Sequence, residues 1–134
     1  MNIDWRKYPN FNVDELSCKS SKKFNMTEKF LAELQGLRTL LGRPILITSA
    51  CRSHEHNKSV GGHPRSLHVC DYPFHENQEG ALAVDVAIPN GVYRADLFVL
   101  AWRANWSIGW NAKKGFLHLD RRDFLGWDKT TFDY

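Results

Sequence analysis

Three short segments decide how this sequence is read: Ser66-Leu67-His68, Ala81-Leu82-Ala83-Val84-Asp85 and Phe116-Leu117-His118-Leu119-Asp120. All lie between Pro44 and Asp120. Each places a His or an Asp in a predicted strand or at its edge. Two neutral imidazoles and one carboxylate form a usable ligand set for Zn2+. Three protein ligands leave a fourth position open for water, which is the arrangement of a catalytic rather than a structural site. His68, Asp85 and His118 are accordingly expected to hold one zinc ion.

The strands around these residues follow from hydrophobic alternation. Within 116–120, Phe116, His118 and Asp120 share one face, and Leu117 and Leu119 share the other. The leucines mark the core side, so His118 and Asp120 point together toward a polar site. Leu82 to Ile88 alternates larger apolar residues with Ala83, Asp85 and Ala87, which predicts a second two-faced strand. Pro44 to Ser49 is a short β-branched run and reads as a buried strand. Trp106 to Trp110 is expected to pair with 116–120 through a five-residue loop, Asn111-Ala112-Lys113-Lys114-Gly115.

Helices fill the intervals. Phe30, Leu31, Leu34, Leu37, Leu40 and Leu41 recur at helical spacing after a capping signal in Asn25-Met26-Thr27-Glu28, and Gly42 and Pro44 stop that helix. Asn12-Val13-Asp14-Glu15 has the capping-box form and predicts a short helix near 13–17. Pro89-Asn90-Gly91 is a turn, and Tyr93 to Ala104 is expected to be helical. The polar stretch from Ala50 to Ser66 reads as a long loop, and the residues up to Pro9 as an irregular arm. The tail, with Phe124, Trp127, Phe132 and Tyr134, is expected to pack back on the domain or to meet a partner.

Composition narrows the class. A chain of 134 residues suits one domain spanning 1–134, with 43% hydrophobic and 25% charged residues as in ordinary globular proteins. The net charge of +3 is mild, and the Lys/Arg residues occur in pairs rather than in a stripe, which argues against a nucleic-acid binder. No apolar run approaches the roughly 20 residues of a membrane span. Met1-Asn2-Ile3-Asp4-Trp5-Arg6-Lys7 has no apolar core of a secretory signal. The three cysteines, Cys18, Cys51 and Cys70, form no CxxC pair and give no disulfide framework. Cys70 stays a minor ligand candidate because it follows His68 by two residues.

Taken in order, Ile47-Thr48-Ser49-Ala50-Cys51-Arg52-Ser53, Asn57, Val60-Gly61-Gly62 and Ser66-Leu67-His68 resemble the M15 zinc peptidases. These include D-alanyl-D-alanine carboxypeptidases and phage endolysins, and the Hedgehog signalling domains share their fold. The resemblance runs from about Phe11 to Asp120. It implies an α+β fold in which a small antiparallel sheet packs with helices. It also implies a zinc-dependent peptidase acting on peptidoglycan stem peptides, made in the cytoplasm and acting on the cell wall, as phage or prophage lysins do. Residue by residue it makes His68, Asp85 and His118 the zinc ligands, Arg52 the contact to a substrate carboxylate or carbonyl, and Ser66 the start of the first metal motif and a substrate contact.

Two departures from that pattern stand out. Val69 to Val84 separate His68 from Asp85, about ten residues more than the pattern has, so Cys70 to Glu79 reads as an insertion and Asp71 becomes a rival ligand. The pattern's Gly falls at Ala81, with Gly80 one residue away. Gly115 also stands where relatives carry an acid three residues before the last His. Asp120 is the first replacement as general base, with Glu76 and Glu79 behind it. An equal reading has Asp120 orienting a ligand His. An inactive, zinc-stabilised wall-binding or structural module is the alternative function.

Overall fold

The computed structural model describes residues 2–134. The alternating segments build the centre of the sheet. β1 is Ile47–Ser49, β2 Ala83–Ala87, β3 Ser107–Trp110, β4 Phe116–Asp120 and β5 Thr131–Asp133, in the spatial order β1-β2-β4-β3-β5. The first four pair antiparallel, as expected. The tail supplies β5, which runs parallel to β3 and makes the sheet mixed. A 3-10 turn at Arg122–Leu125 ends on Gly126 in the left-handed region (φ 79°) and carries the chain to that far edge.

In the β2–β4 ladder, Val84 lies opposite Leu119 and Val86 opposite Leu117. These four side chains are fully buried and form one face of the sheet with Ile108. Helix α2 (Glu28–Leu41) and helix α4 (Gly91–Arg103) contribute Phe30, Leu31, Leu34, Leu37, Leu97 and Ala101 to the same core. Phe30 and each of these buried leucines contribute about 1.5–3 kcal/mol of burial free energy. The other face of β2 and β4 carries Asp85 and His118.

Helix boundaries follow their caps. Helix α1 (Val13–Leu16) has the reciprocal Asn12–Glu15 box. In α2 the cap is Thr27, whose hydroxyl accepts from Phe30 N–H, and Asn25 is released for another task. In α4 Asn90 accepts from Tyr93 N–H, so the helix starts two residues before the expected Tyr93. The stretch read as one long loop contains a helix, α3 (His54–Ser59), capped by Ser53. Only Asn57 of α3 is buried, so it has no apolar stripe to reveal it.

Candidate metal centre

β-Ladder register brings two of the three expected ligands together: Asp85 and His118 are directly opposite on β2 and β4. His68 arrives from a loop. Arg52 N–H donates to the His68 carbonyl at 2.8 Å, and Cys70 N–H donates to the Arg52 carbonyl at 2.9 Å. Leu82 N–H holds the Leu67 carbonyl at 2.8 Å from the other side. His68 Nε2, His118 Nδ1 and Asp85 Oδ1 then form a triangle whose sides are each 3.2 Å. The three residues are 0%, 4% and 2% exposed, so the triangle is an enclosed polar cluster that could hold a metal ion.

The outward contacts fix which ring nitrogens carry hydrogen. His68 Nδ1 lies 2.7 Å from the Ala50 carbonyl, which can only accept, so Nδ1–H donates and Nε2 presents a lone pair inward. His118 Nε2 lies 2.8 Å from Asp120 Oδ2, so Nε2–H donates and Nδ1 faces inward. Asp85 Oδ1 is an acceptor as well. With both imidazoles neutral, three acceptors therefore converge with no donor between them. Ligand atoms about 2.0–2.1 Å from a tetrahedral zinc stand roughly 3.3 Å apart, so the donor set fits that ion in type and spacing.

In the metal-free site the three groups shift in different directions. Burial drives the His68 imidazole below its ordinary pKa against the pull of Asp85. Burial acts the same way on His118 but is outweighed by its bonds to Asp120 and Asp85, which raise it. Burial opposes ionisation of Asp85, yet the two imidazoles hold its carboxyl well below the usual carboxylate range.

The neighbours of the triangle bear on two expected roles. Arg52 does not reach out as a free substrate contact. Its Nη2 donates to Asp85 Oδ2 at 3.1 Å, its Nη1 to Asn57 Oδ1 at 3.2 Å and its Nε to Ser49 Oγ at 3.0 Å. It is a brace for Asp85, though its edge still lines the cleft. Gly62 closes this brace: a Cβ there would collide with the Asn57 amide. Asp120 is fully buried and has four donors on its two oxygens, namely His118 Nε2 and the backbone N, Nε and Nη2 of Arg122. Arg122 and His118 hold its carboxyl low against burial. Of its two possible roles, this geometry supplies the orienting one and leaves no lone pair aimed at a water.

Ser66 sits as expected at the turn into His68, where its Oγ accepts from His68 N–H at 3.2 Å, and it lines the cleft. The rivals lie elsewhere. Asp71 accepts from the backbone N–H of His54 at 2.8 Å and pairs with Lys23 at 3.2 Å. Cys70 is buried outside the ligand group. Glu76 lines a separate depression, and neither it nor Glu79 borders the cleft over the triangle. The insertion is closed off at its base, because the Asn25 side-chain amide donates both to the Cys70 carbonyl at 3.3 Å and to the Glu79 carbonyl at 3.2 Å. Gly80 is needed beside it, since a Cβ would stand 2.7 Å from the Asn25 carbonyl oxygen.

The cleft over the triangle has a volume of about 720 Å³. Its lining includes residues that sequence reasoning did not assign: Arg65, Lys114, Arg122, Asp133 and Tyr134. Arg122 had a signal, being a cation two residues after Asp120. Tyr134 had only its alternation with Phe132 in the tail. The Tyr134 ring stacks on His118 at 4.5 Å between centroids, and Phe132 meets the same imidazole edge-on at 5.4 Å. Burial, aided by the charge of Asp85, pushes the Tyr134 phenol up to about 12.

A family model described as Peptidase M15 matches residues 9–120. No curated protein matches the chain.

Proposed function

The chain belongs to the M15 peptidase family, and from that membership we propose that it is a zinc-dependent peptidase cleaving the stem peptides of bacterial peptidoglycan, in the manner of a phage lysin. The observation that carries the metal assignment is the convergence of three inward lone pairs on His68, Asp85 and His118, each with its outward side already bonded. These residues hold the zinc. When bound, the ion lowers the pKa of a water and polarises the scissile carbonyl.

The chain's own residues do the rest. Arg52 fixes Asp85, and Asp120, clamped by Arg122, fixes His118. The lining also includes Asp133, exposed and without an ion-pair partner among the described residues, whose place between Phe132 and Tyr134 turns its side chain to the opposite face of β5. Arg65 and Lys114 line the cleft, also without carboxylate partners among the described residues, and they receive the carboxylates of a stem peptide.

The test is metal analysis of the purified protein, together with digestion of purified peptidoglycan read by mass spectrometry. About one zinc per chain and release of defined peptide fragments are expected. The engagement of Asp120 by Arg122 and the Gly at position 115 favour one second reading, a zinc-stabilised wall-binding module without activity. Bound zinc, binding to peptidoglycan and no released fragment would select it.

A further inference from the structure

Tyr134 lies beyond the residues 9–120 that carry the family match, yet its side chain reaches the ligand triangle. It is placed there by the sheet. Tyr134 N–H donates to the Trp110 carbonyl at 3.1 Å, which prolongs the β3–β5 pairing by one residue. Phe132 and Tyr134, two apart, then face the same side. Gly109 provides the room for both. It lies opposite His118 on one side and Phe132 on the other, and a Cβ there would stand 2.7 Å from the Phe132 ring and 3.1 Å from Tyr134 Cβ. The phenol ring is held by His118 at 4.5 Å and by the edge of Phe116 at 5.7 Å.

The hydroxyl lies within reach of the Asp85 and Arg52 side chains and 3.5 Å from His68 Nε2. That nitrogen carries a lone pair, because its ring hydrogen is on Nδ1, so the phenol O–H donates to it. Nε2 is also the atom that His68 offers to a metal. A metal that takes this lone pair, and one from Asp85, withdraws acceptors that face Tyr134. The O–H is then left, still positioned by its ring, beside the triangle and on the cleft side. A half-buried hydroxyl that loses acceptors gains free energy when a new one arrives.

We infer that Tyr134 is a further catalytic residue, whose hydroxyl donates a hydrogen bond to the oxygen of the scissile carbonyl as that oxygen becomes negative. The proton stays on the phenol throughout: the attacking water supplies the new C–O bond, the carbonyl π pair moves to the oxygen, and that pair returns when the C–N bond breaks. A donor aimed at the developing oxyanion lowers the barrier because the charge is larger in the transition state than in the bound substrate. This inference rests on the peptidase reading for its substrate, but not for its test.

The test compares the wild type with Tyr134→Phe, which keeps the stacked ring and removes only the hydroxyl. Zinc affinity is measured by chelator competition, and binding of acetohydroxamate to the zinc-loaded protein by calorimetry, since its oxyanion stands in for the reacting oxygen. Tyr134→Phe is expected to keep its zinc affinity within about twofold. It should bind acetohydroxamate about tenfold more weakly, as expected for loss of one hydrogen bond to a charged oxygen. On a stem-peptide substrate, kcat should fall about 10²-fold with KM little changed. Unchanged acetohydroxamate affinity overturns the assignment. So does a loss of zinc affinity in step with the loss of the probe, which would make Tyr134 a packing residue over His118. If the wild type hydrolyses no peptide, the peptidase reading fails while the acetohydroxamate comparison still decides the role of the hydroxyl.

Discussion

At the scale of single residues, the site is a set of acceptors whose backs are covered. Asp120 is the clearest case, because its charge is spent on His118 and Arg122. Asp120→Asn keeps an oxygen for His118 Nε2–H but drops the ion pair. Outer partners of this kind typically tune affinity by about 10–100-fold, so a loss of that size in zinc affinity is expected by chelator competition. Undiminished affinity with lost hydrolysis would restore Asp120 as the base. Asp85→Asn should lose stoichiometric zinc, whereas Asp71→Asn should keep it, since Asp71 is bound to His54 and Lys23. Metal analysis of the two variants separates them, and the reverse pattern would mean that Asp71 is the ligand. The pH dependence has a definite sign. His118 is raised and His68 lowered in the metal-free protein, while Asp85 stays ionised. Acid therefore displaces metal by protonating His118 first. Apparent zinc affinity should be flat above the raised His118 value and fall about tenfold per pH unit below it, steepening once His68 also binds a proton. A flat profile down to the ordinary carboxylate range near 4 would contradict this order.

At the scale of elements, legibility tracked how much apolar surface each segment buries. The leucine stripe of α2 and the two-faced strands β2 and β4 were readable because alternation and helical spacing are imposed by the core they face. Asp85 and His118 could be placed on one sheet face from the same pattern, although their direct opposition needed the ladder register. Helix α3 was not readable, since only one of its six residues, Asn57, is buried and its only signal is the Ser53 cap. Strand β5 is three residues long and depends on the cavity left by Gly109, a tertiary feature with no local trace. The bracing of Asp85 by Arg52, and the choice between the two roles open for Asp120, were not legible for a related reason. Sequence shows which groups are charged, but only side-chain geometry shows that Asp85 and Arg122 already consume them. One consequence can be tested on β5 alone. Gly109→Val forces a side chain into Phe132 and Tyr134, and should release β5 while leaving the β2–β4 ladder and its ligands intact. Hydrogen exchange should speed up at residues 131–133 and not at 83–87 or 116–120, with zinc stoichiometry preserved. Loss of protection across the whole sheet would show that β5 is integral to the core rather than an added edge.

At the scale of the molecule, a metal in the triangle joins β2, β4 and the loop at His68, three segments far apart in sequence. Binding only to the folded chain stabilises it by mass action, about 2.7 kcal/mol at a free zinc concentration 100 times the Kd. For a chain of this size that corresponds to a rise in Tm on the order of 10 °C. Calorimetry with zinc and with chelator measures it, and His118→Ala should show no such difference. A chelator-insensitive wild type would mean that the triangle holds no metal that matters to the fold. No described helix is long and apolar enough to cross a membrane. The Asn25 clasp has a consequence for how such a chain can diversify. Because one amide ties both ends of the Cys70–Glu79 excursion, the residues between them form a replaceable cassette on the rim of the cleft. Loops of other lengths could be spliced there, and what the cleft admits could drift, while the ligand residues on either side keep their places.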